Sequence, residues 1–305
     1  MIRPFRPVRP AVVEWTLVPL VALAASVAAL GAVLRPGRAY VGIDTLGIHV
    51  PFRTFVYSAG GLPLWNPDVL LGAPFLANGD AAELYPLSSL FFLGSPARLY
   101  GVQIALHLAL CAVTTYAFVR VSLRASPAGA AVAAVLFSFN GYVLVHLTFL
   151  SFVYSQPWVP LLFLAVERTV TRGLRWAWLG VLPVAFSLLG GNPQELYESA
   201  LWVPPLAVVA AMAGGVGWRG VVRGLGGAAA SFAGGLAVAA VQVLPQAQLV
   251  GDTSRGGRGL TFAEVSRYPL PAIPVWRVLL PDYGRPSIGE NAAWIGLVGL
   301  LLVVV

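Results

Sequence analysis

Charged residues divide this sequence into uncharged stretches whose lengths are those of bilayer crossings. Residues 15–34, 99–119, 176–194 and 199–218 carry no charged side chain. About 20 mostly apolar residues in a helix span the ~30 Å hydrocarbon core of a bilayer. Residues 224–251 form a longer uncharged stretch, and residues 125–166 hold enough for two crossings with a polar break between Phe139 and Pro157. An eighth stretch, 291–305, reaches the chain end after 15 residues, so the sequence is expected to be the N-terminal portion of a longer protein. Composition agrees: 58% hydrophobic and 10% charged residues, with a mean hydropathy of +0.81. Soluble domains run near ~45–50% apolar and ~25% charged. A water-soluble globule and a disordered chain are excluded on those grounds. The single cysteine, Cys111, excludes an internal disulfide framework or a multi-cysteine metal site. The expected fold is all-α: a polytopic bundle of about eight spans, the last one truncated, forming one transmembrane domain over 1–305. Arg3, Arg6 and Arg9 would suit the head of a signal peptide. The apolar run after them exceeds the usual ~7–15 residues, which predicts an uncleaved first helix.

All 19 basic residues are arginine, and the net charge is +7. The arginines are spread along the chain, which argues against a nucleic-acid surface. With the N-terminus placed in the cytoplasm, ten of them fall on the inner side, among them Arg120, Arg124, Arg168, Arg172, Arg219 and Arg223. Only Glu14 and Glu167 oppose them there, while the outer segments hold nine arginines and ten acids. Basic inner loops are what membrane insertion favours. This parity leaves two long segments outside, 35–98 and 252–290. Small-residue stretches at 127–135 and 228–235 predict close helix–helix approach, read as packing within one chain in preference to a dimer face.

Polar side chains with chemistry to offer gather in the outer segments. Asp44 lies in a mostly apolar stretch, where an unpaired carboxylate is costly. It reads either as a functional acid or as the N-cap of a short helix from Thr45 that Pro51 would end near Val50. Further along the first outer loop, turn-makers alternate with apolar and aromatic residues, which predicts interfacial helices with Trp65 and Tyr85 at headgroup level. Asp80 and Glu83 share a face if that stretch is helical, and would then hold a divalent cation or form a solvated edge. Gly190-Gly191-Asn192-Pro193-Gln194-Glu195 breaks the fifth span, giving either a polar cavity wall or an ordinary turn. Arg255 and Arg258, separated by two glycines, suit a phosphate or a lipid headgroup. His146, near the outer end of the third span, is expected to face a cavity. His107 and Cys111, one turn apart, are poor metal ligands without further partners. The Gly215-x-Gly217-x-x-Gly220 match follows no strand and carries no dinucleotide signal.

Taken in order, these segments resemble the bacterial YfhO-type membrane proteins. The resemblance rests on Asp44 and on the loop run Pro63-Leu64-Trp65-Asn66-Pro67, Gly72-x-Pro74, Ala77-Asn78 and Tyr85-Pro86-Leu87. It continues through Phe139-Asn140-Gly141-Tyr142 with His146, Trp158-x-Pro160, Gly191-Asn192-Pro193-Gln194, Gln242-x-x-Pro245 and Ser254-Arg255. It departs at Asn140, where a small hydroxyl residue is expected. The resemblance covers nearly the whole chain and implies a GT-C glycosyltransferase of the bacterial cytoplasmic membrane, using polyprenyl-phosphate sugars on the outer face. The family's hallmark acid in the first outer loop falls on Asp44, which the resemblance makes the catalytic base. Arg255 and Arg258 would hold the donor phosphate, and His146, Asn192, Gln194 and Glu195 would line the sugar pocket. An envelope glycan or lipid is the implied acceptor, and a divalent metal on Asp80 and Glu83 is optional. Two other classes stand beside this one: a flippase for a lipid-linked sugar and a non-catalytic membrane scaffold. Against the flippase, the acids cluster in outer loops, the helix centres are nearly free of ionisable groups, and no inverted repeat is visible.

Overall fold

The computed structural model describes residues 12–253, 256, 259 and 261–266. These residues are overwhelmingly helical, with one two-stranded ribbon, β1 (Trp65–Asn66) paired antiparallel with β2 (Ala73–Pro74). Four helical segments are long and apolar enough to cross a membrane: α1 (Val12–Ala29), α3 (Pro96–Val121), Pro127–Thr148 and α11 (Gly217–Gly251). The third runs from α4 (Pro127–Ser138) through α5 (Gly141–Val145) to a 3-10 turn at His146–Thr148. A fifth crossing is possible if α9 (Pro193–Leu201) and α10 (Val203–Gly214), bent by 42°, make one broken span. The expectation of eight spans is therefore met only in part. The stretches around 158–194 form shorter helices, α7 (Trp158–Arg172) and α8 (Trp178–Leu189), because Gly173 at φ +111 and the Gly190–Gly191 turn interrupt them. The eighth stretch lies outside the described residues.

The central helix is α3, started by Ser95, whose side chain accepts from the Arg98 amide. It packs against α1, α4 and α7, while α8 and α10 pack on α11. At 35 residues α11 is about 52 Å long, well over the hydrocarbon thickness. Its buried face is a stripe of small residues, Gly220, Gly224, Gly227, Ala228, Ser231 and Gly235. A Cβ built on Gly227 would sit 2.2 Å from Thr169 Cγ2, and one on Gly224 would sit 2.4 Å from Val170 Cγ2. The stripe thus serves close packing within the chain. Large apolar side chains on α1, α10 and α11, such as Leu20, Val209, Met212 and Leu244, stay exposed, as a lipid-facing surface requires.

At one end of the bundle, Glu14 ties α1 to α3. Arg120 donates Nε to Glu14 Oε2 at 3.0 Å and its terminal nitrogen to Oε1 at 3.1 Å, and Tyr116 adds its hydroxyl at 3.2 Å. Beside it, Ser122 and Thr171 donate to the Glu167 carboxylate, and Arg168 donates to the Val121 carbonyl. The arginine-rich short loops therefore also lock helix ends together.

Candidate functional site

Within the segment 35–98, one continuous helical stretch begins at residue 43. A π-helical turn at Thr45–His49 leads directly into α2 (Val50–Ala59). Pro51, expected to end the helix near Val50, instead sits in the first turn of α2. The wider π turn shifts the hydrogen-bond register just where proline lacks its N–H. Asp44 precedes this turn and makes no side-chain cap, so it is not held there by the capping bond that the structural reading of Asp44 requires.

One turn apart on this stretch, His49 and Arg53 point inward; each is only 2% exposed. The Leu150 amide donates to His49 Nε2 at 3.1 Å, so the ring proton is on Nδ1, which has no partner. Burial, reinforced by Arg53, pulls His49 down to about 4. Arg53 donates to the Ala81 carbonyl and lies 5.5 Å above the centre of the Phe91 ring, and its Nε is left without an acceptor. Sequence reading passed over Arg53 as one of nine outer arginines. The signal was its place between Phe52 and Phe55, one helical turn after His49, on an apolar amphipathic face.

The 3-10 turn Gly79–Ala81 carries Asp80 against this helix. It ends at Ala82, whose φ of +41 turns the chain away. For that reason Asp80 and Glu83 do not share a helical face, as the metal reading needed. Asp80 takes a hydrogen bond from Ser151; burial pushes its pKa up, Arg53 opposes that rise and Asp44 adds to it. Asp44 and Asp80 are therefore electrostatic neighbours. Glu83 turns elsewhere: burial raises it to about 7, with Arg53 pulling the other way. Among the described residues, no group of three or more His, Cys, Asp or Glu stands close enough to hold a metal ion.

The turn that breaks α8 from α9 arrives at the same place. Gly191, at φ +89, presses so near the Gly79 carbonyl that a Cβ would lie 2.2 Å from it, and on the other side a Cβ on Gly79 would meet Gln246 Nε2 at 2.8 Å. Asn192 caps α9 by accepting from the Glu195 amide at 3.1 Å, and Glu195 accepts from Gln156 Nε2 at 2.8 Å. Gln194 is exposed and donates to Glu198. His146 has a different setting: its Nδ1 donates to the Tyr142 carbonyl, and its ring packs against Tyr142, Phe149 and Phe152. Of the four expected pocket residues, Asn192 follows the glycine that meets the Asp80 turn, Glu195 is held by Gln156, Gln194 faces outward, and His146 sits in an aromatic cluster. Arg255 and Arg258 lie outside the described residues, as does most of 252–290.

Tyr85 corrects the headgroup expectation. Instead of facing the interface it is 1% exposed, while Trp65 does stay exposed. Pro86 starts a 3-10 helix (Pro86–Leu93) that turns Tyr85 into the bundle, stacked 4.3 Å from Tyr154. His107 Nδ1 donates to the Gln103 carbonyl, so Tyr85 donates its hydroxyl to His107 Nε2, at 2.8 Å. Both His107 nitrogens are thereby used inside the protein.

Two cavities meet at Tyr85 and Pro86. One, about 450 Å³, is an apolar cleft between α1, α3, α7 and α8, lined by residues such as Leu23, Leu106, Val113 and Trp158. The other, about 550 Å³, lies in the segment 35–98 between α2 and the Pro86–Leu93 helix and is lined by residues such as Arg53, Glu83, Ser88 and Phe92. No protein-family model, curated protein or solved structure matches the chain.

Proposed function

We propose that this chain is a membrane glycosyltransferase of the bacterial cytoplasmic membrane, moving a sugar from a polyprenyl-phosphate donor to an envelope acceptor on the outer face. The observation that carries the reading is the pair of cavities sharing Tyr85 and Pro86. An apolar cleft among helices beside a cavity that adds Arg53, Glu83, Ser88 and Ser89 to an otherwise apolar and aromatic lining suits an amphiphile with a long tail and a hydrophilic head. The resemblance to YfhO-type proteins points the same way.

In this mechanism Asp44 is the general base. It takes the proton of an acceptor hydroxyl whose oxygen attacks the anomeric carbon, while the bond from that carbon to the phosphate oxygen breaks and the configuration inverts. Positioned proton transfer of this kind contributes typically ~10²–10⁴-fold. Asp80 beside it keeps negative potential on the attacking hydroxyl's side. Arg255 or Arg258 takes the growing charge on the leaving lipid phosphate. Asn192, next to the glycine that meets the Asp80 turn, and Glu195 three residues on serve the sugar.

The test is a transfer assay with radiolabelled polyprenyl-phosphate sugars in membranes carrying the wild type or Asp44→Asn. Label passing to an envelope polymer only with the wild type supports the reading. Label crossing the bilayer without transfer, equally in both, makes the protein a flippase.

A further inference from the structure

Glu83 is 9% exposed and neither of its carboxylate oxygens meets a donor. Close by, Arg53 attracts it electrostatically without closing to an ion pair, and the Arg53 Nε–H lacks an acceptor. Folding has left an acceptor-only group and a donor-only group unsatisfied just behind the wall of one cavity, whose lining includes both residues. Such groups cost stability unless something bonds to them.

Charge decides what that something is. An ammonium group would satisfy Glu83 but face Arg53, and a phosphate would satisfy Arg53 but face Glu83. A hydroxyl both donates and accepts, so neighbouring hydroxyls on one neutral molecule answer both at once. The rest of the wall fits: Ser88 and Ser89 add hydroxyls, and Tyr57, Phe91 and Phe92 offer rings for the C–H faces of a pyranose. About 550 Å³ is within the usual ~300–1,000 Å³ range of small-molecule sites.

We propose that this loop cavity is a carbohydrate subsite, in which Glu83 and Arg53 turn their unsatisfied atoms to the cavity and adjacent sugar hydroxyls bridge them while the ring packs on the aromatic wall. Sugar binding here needs no transfer chemistry; the glycosyltransferase reading enters only in deciding whether the sugar belongs to donor or acceptor.

Thermal unfolding of the full chain in lipid nanodiscs tests the subsite, with the methyl glycosides of glucose, galactose, mannose and N-acetylglucosamine as probes. At least one should raise the wild-type Tm by a few degrees. Glu83→Met should abolish that rise while leaving the unliganded Tm equal to or above wild type, since it removes a buried carboxylate without donors. The near-isosteric Glu83→Gln should weaken the glycoside response at least tenfold. Asp44→Asn should keep it, which separates this inference from the catalytic one. If no glycoside shifts the wild type, or if Glu83→Met responds like the wild type, there is no subsite here, and Asp44-dependent transfer stands or falls separately. A lower unliganded Tm in Glu83→Met with no wild-type response makes Glu83 structural. Competition by a short-chain prenyl-phosphate sugar assigns the cavity to the donor's sugar, and simultaneous binding assigns it to the acceptor's.

Discussion

Gly224 on α11 gives the most exacting test of how this bundle is held together. A Cβ there would lie 2.4 Å from Val170 Cγ2, 3.3 Å from the Ala207 Cβ and 3.7 Å from the Val170 Cβ. Carbon atoms pack best at about 3.5–4.0 Å, so Gly224→Ala must push α7 from α11 by roughly 1 Å at this point. Val170 is fully buried and β-branched within a helix, so it has no alternative rotamer into which to retreat. Overpacking of this kind costs ~1–3 kcal/mol, and the locked side chain argues for the upper end. Alanine recovers up to ~1 kcal/mol in helix propensity, leaving a net loss of about 2 kcal/mol. Val170→Ala alone forfeits the packing of two methyl groups, about 1–2 kcal/mol. In the double variant the clash is gone and the new methyl occupies vacated space, so it should lie within about 1 kcal/mol of wild type. The expected coupling is then about 2 kcal/mol, read from denaturant or thermal unfolding in detergent. Gly226 is the control: nothing lies within 4 Å of a Cβ there, so Gly226→Ala should be neutral or stabilising. Additive losses for Gly224→Ala and Val170→Ala, or a Gly224→Ala variant that behaves like Gly226→Ala, would refute close packing as the function of the stripe.

The same logic extends to charge. Glu14→Ala should cost about 2–3 kcal/mol, somewhat under the ~3–5 of a fully buried pair because Glu14 is 20% exposed. Adding Arg120→Leu should then lose little more, and a double variant as weak as the sum of its singles would show the pair to be uncoupled. Around pH 4.5–6.5 two loop residues should pull stability in opposite directions. The folded value of Glu83, near 7 against an ordinary 4.5, gives stability that is complete below 4.5 and lost as pH rises through 7. His49 is held near 4 against 6.5, so its contribution is complete above 6.5 and lost as pH falls toward 4. The unfolding free energy of Glu83→Gln, minus that of wild type, should therefore rise with pH across this window, and the same difference for His49→Gln should fall. Parallel curves for both variants would mean that neither group titrates abnormally. For chemistry, Asp44→Asn should remove sugar transfer while expression and membrane insertion persist, and near-normal transfer would take Asp44 out of the mechanism.

What the sequence revealed and what it hid follow from the range of the forces involved. A local signal held: Gly190-Gly191 with Pro193 does break the chain between α8 and α9. The small residues of 228–235 do pack against a neighbouring helix of the same chain, because a stripe of small residues encodes a distance of approach independently of which partner arrives. Span counting held less well. An uncharged run measures hydrophobicity, but helix length depends on backbone breaks within it, such as the bend at Trp202 between α9 and α10, which the charge pattern does not register. Pro51 misled for a related reason: a π turn upstream absorbs its missing donor, and that accommodation has no composition signature.

The loop residues were hidden by a deeper ambiguity. Tyr85 and Arg53 have the amphipathic character of interface residues; on that basis Tyr85 was expected at headgroup level, and Arg53 drew no reading of its own. Each is turned inward by its supports, Pro86 and His107 for Tyr85, and Phe91 and the Ala81 carbonyl for Arg53. A polar group can leave water only if a partner waits inside, so an inward Tyr85 with its hydroxyl bonded is an ordinary core residue. Arg53 and Glu83 do not meet that condition within the protein, since a guanidinium nitrogen and two carboxylate oxygens remain unbonded. Such a loop would be less costly with apolar residues at both positions. The unsatisfied pair is thus the feature for which folding alone supplies no reason, and the place where a bound molecule has most to contribute.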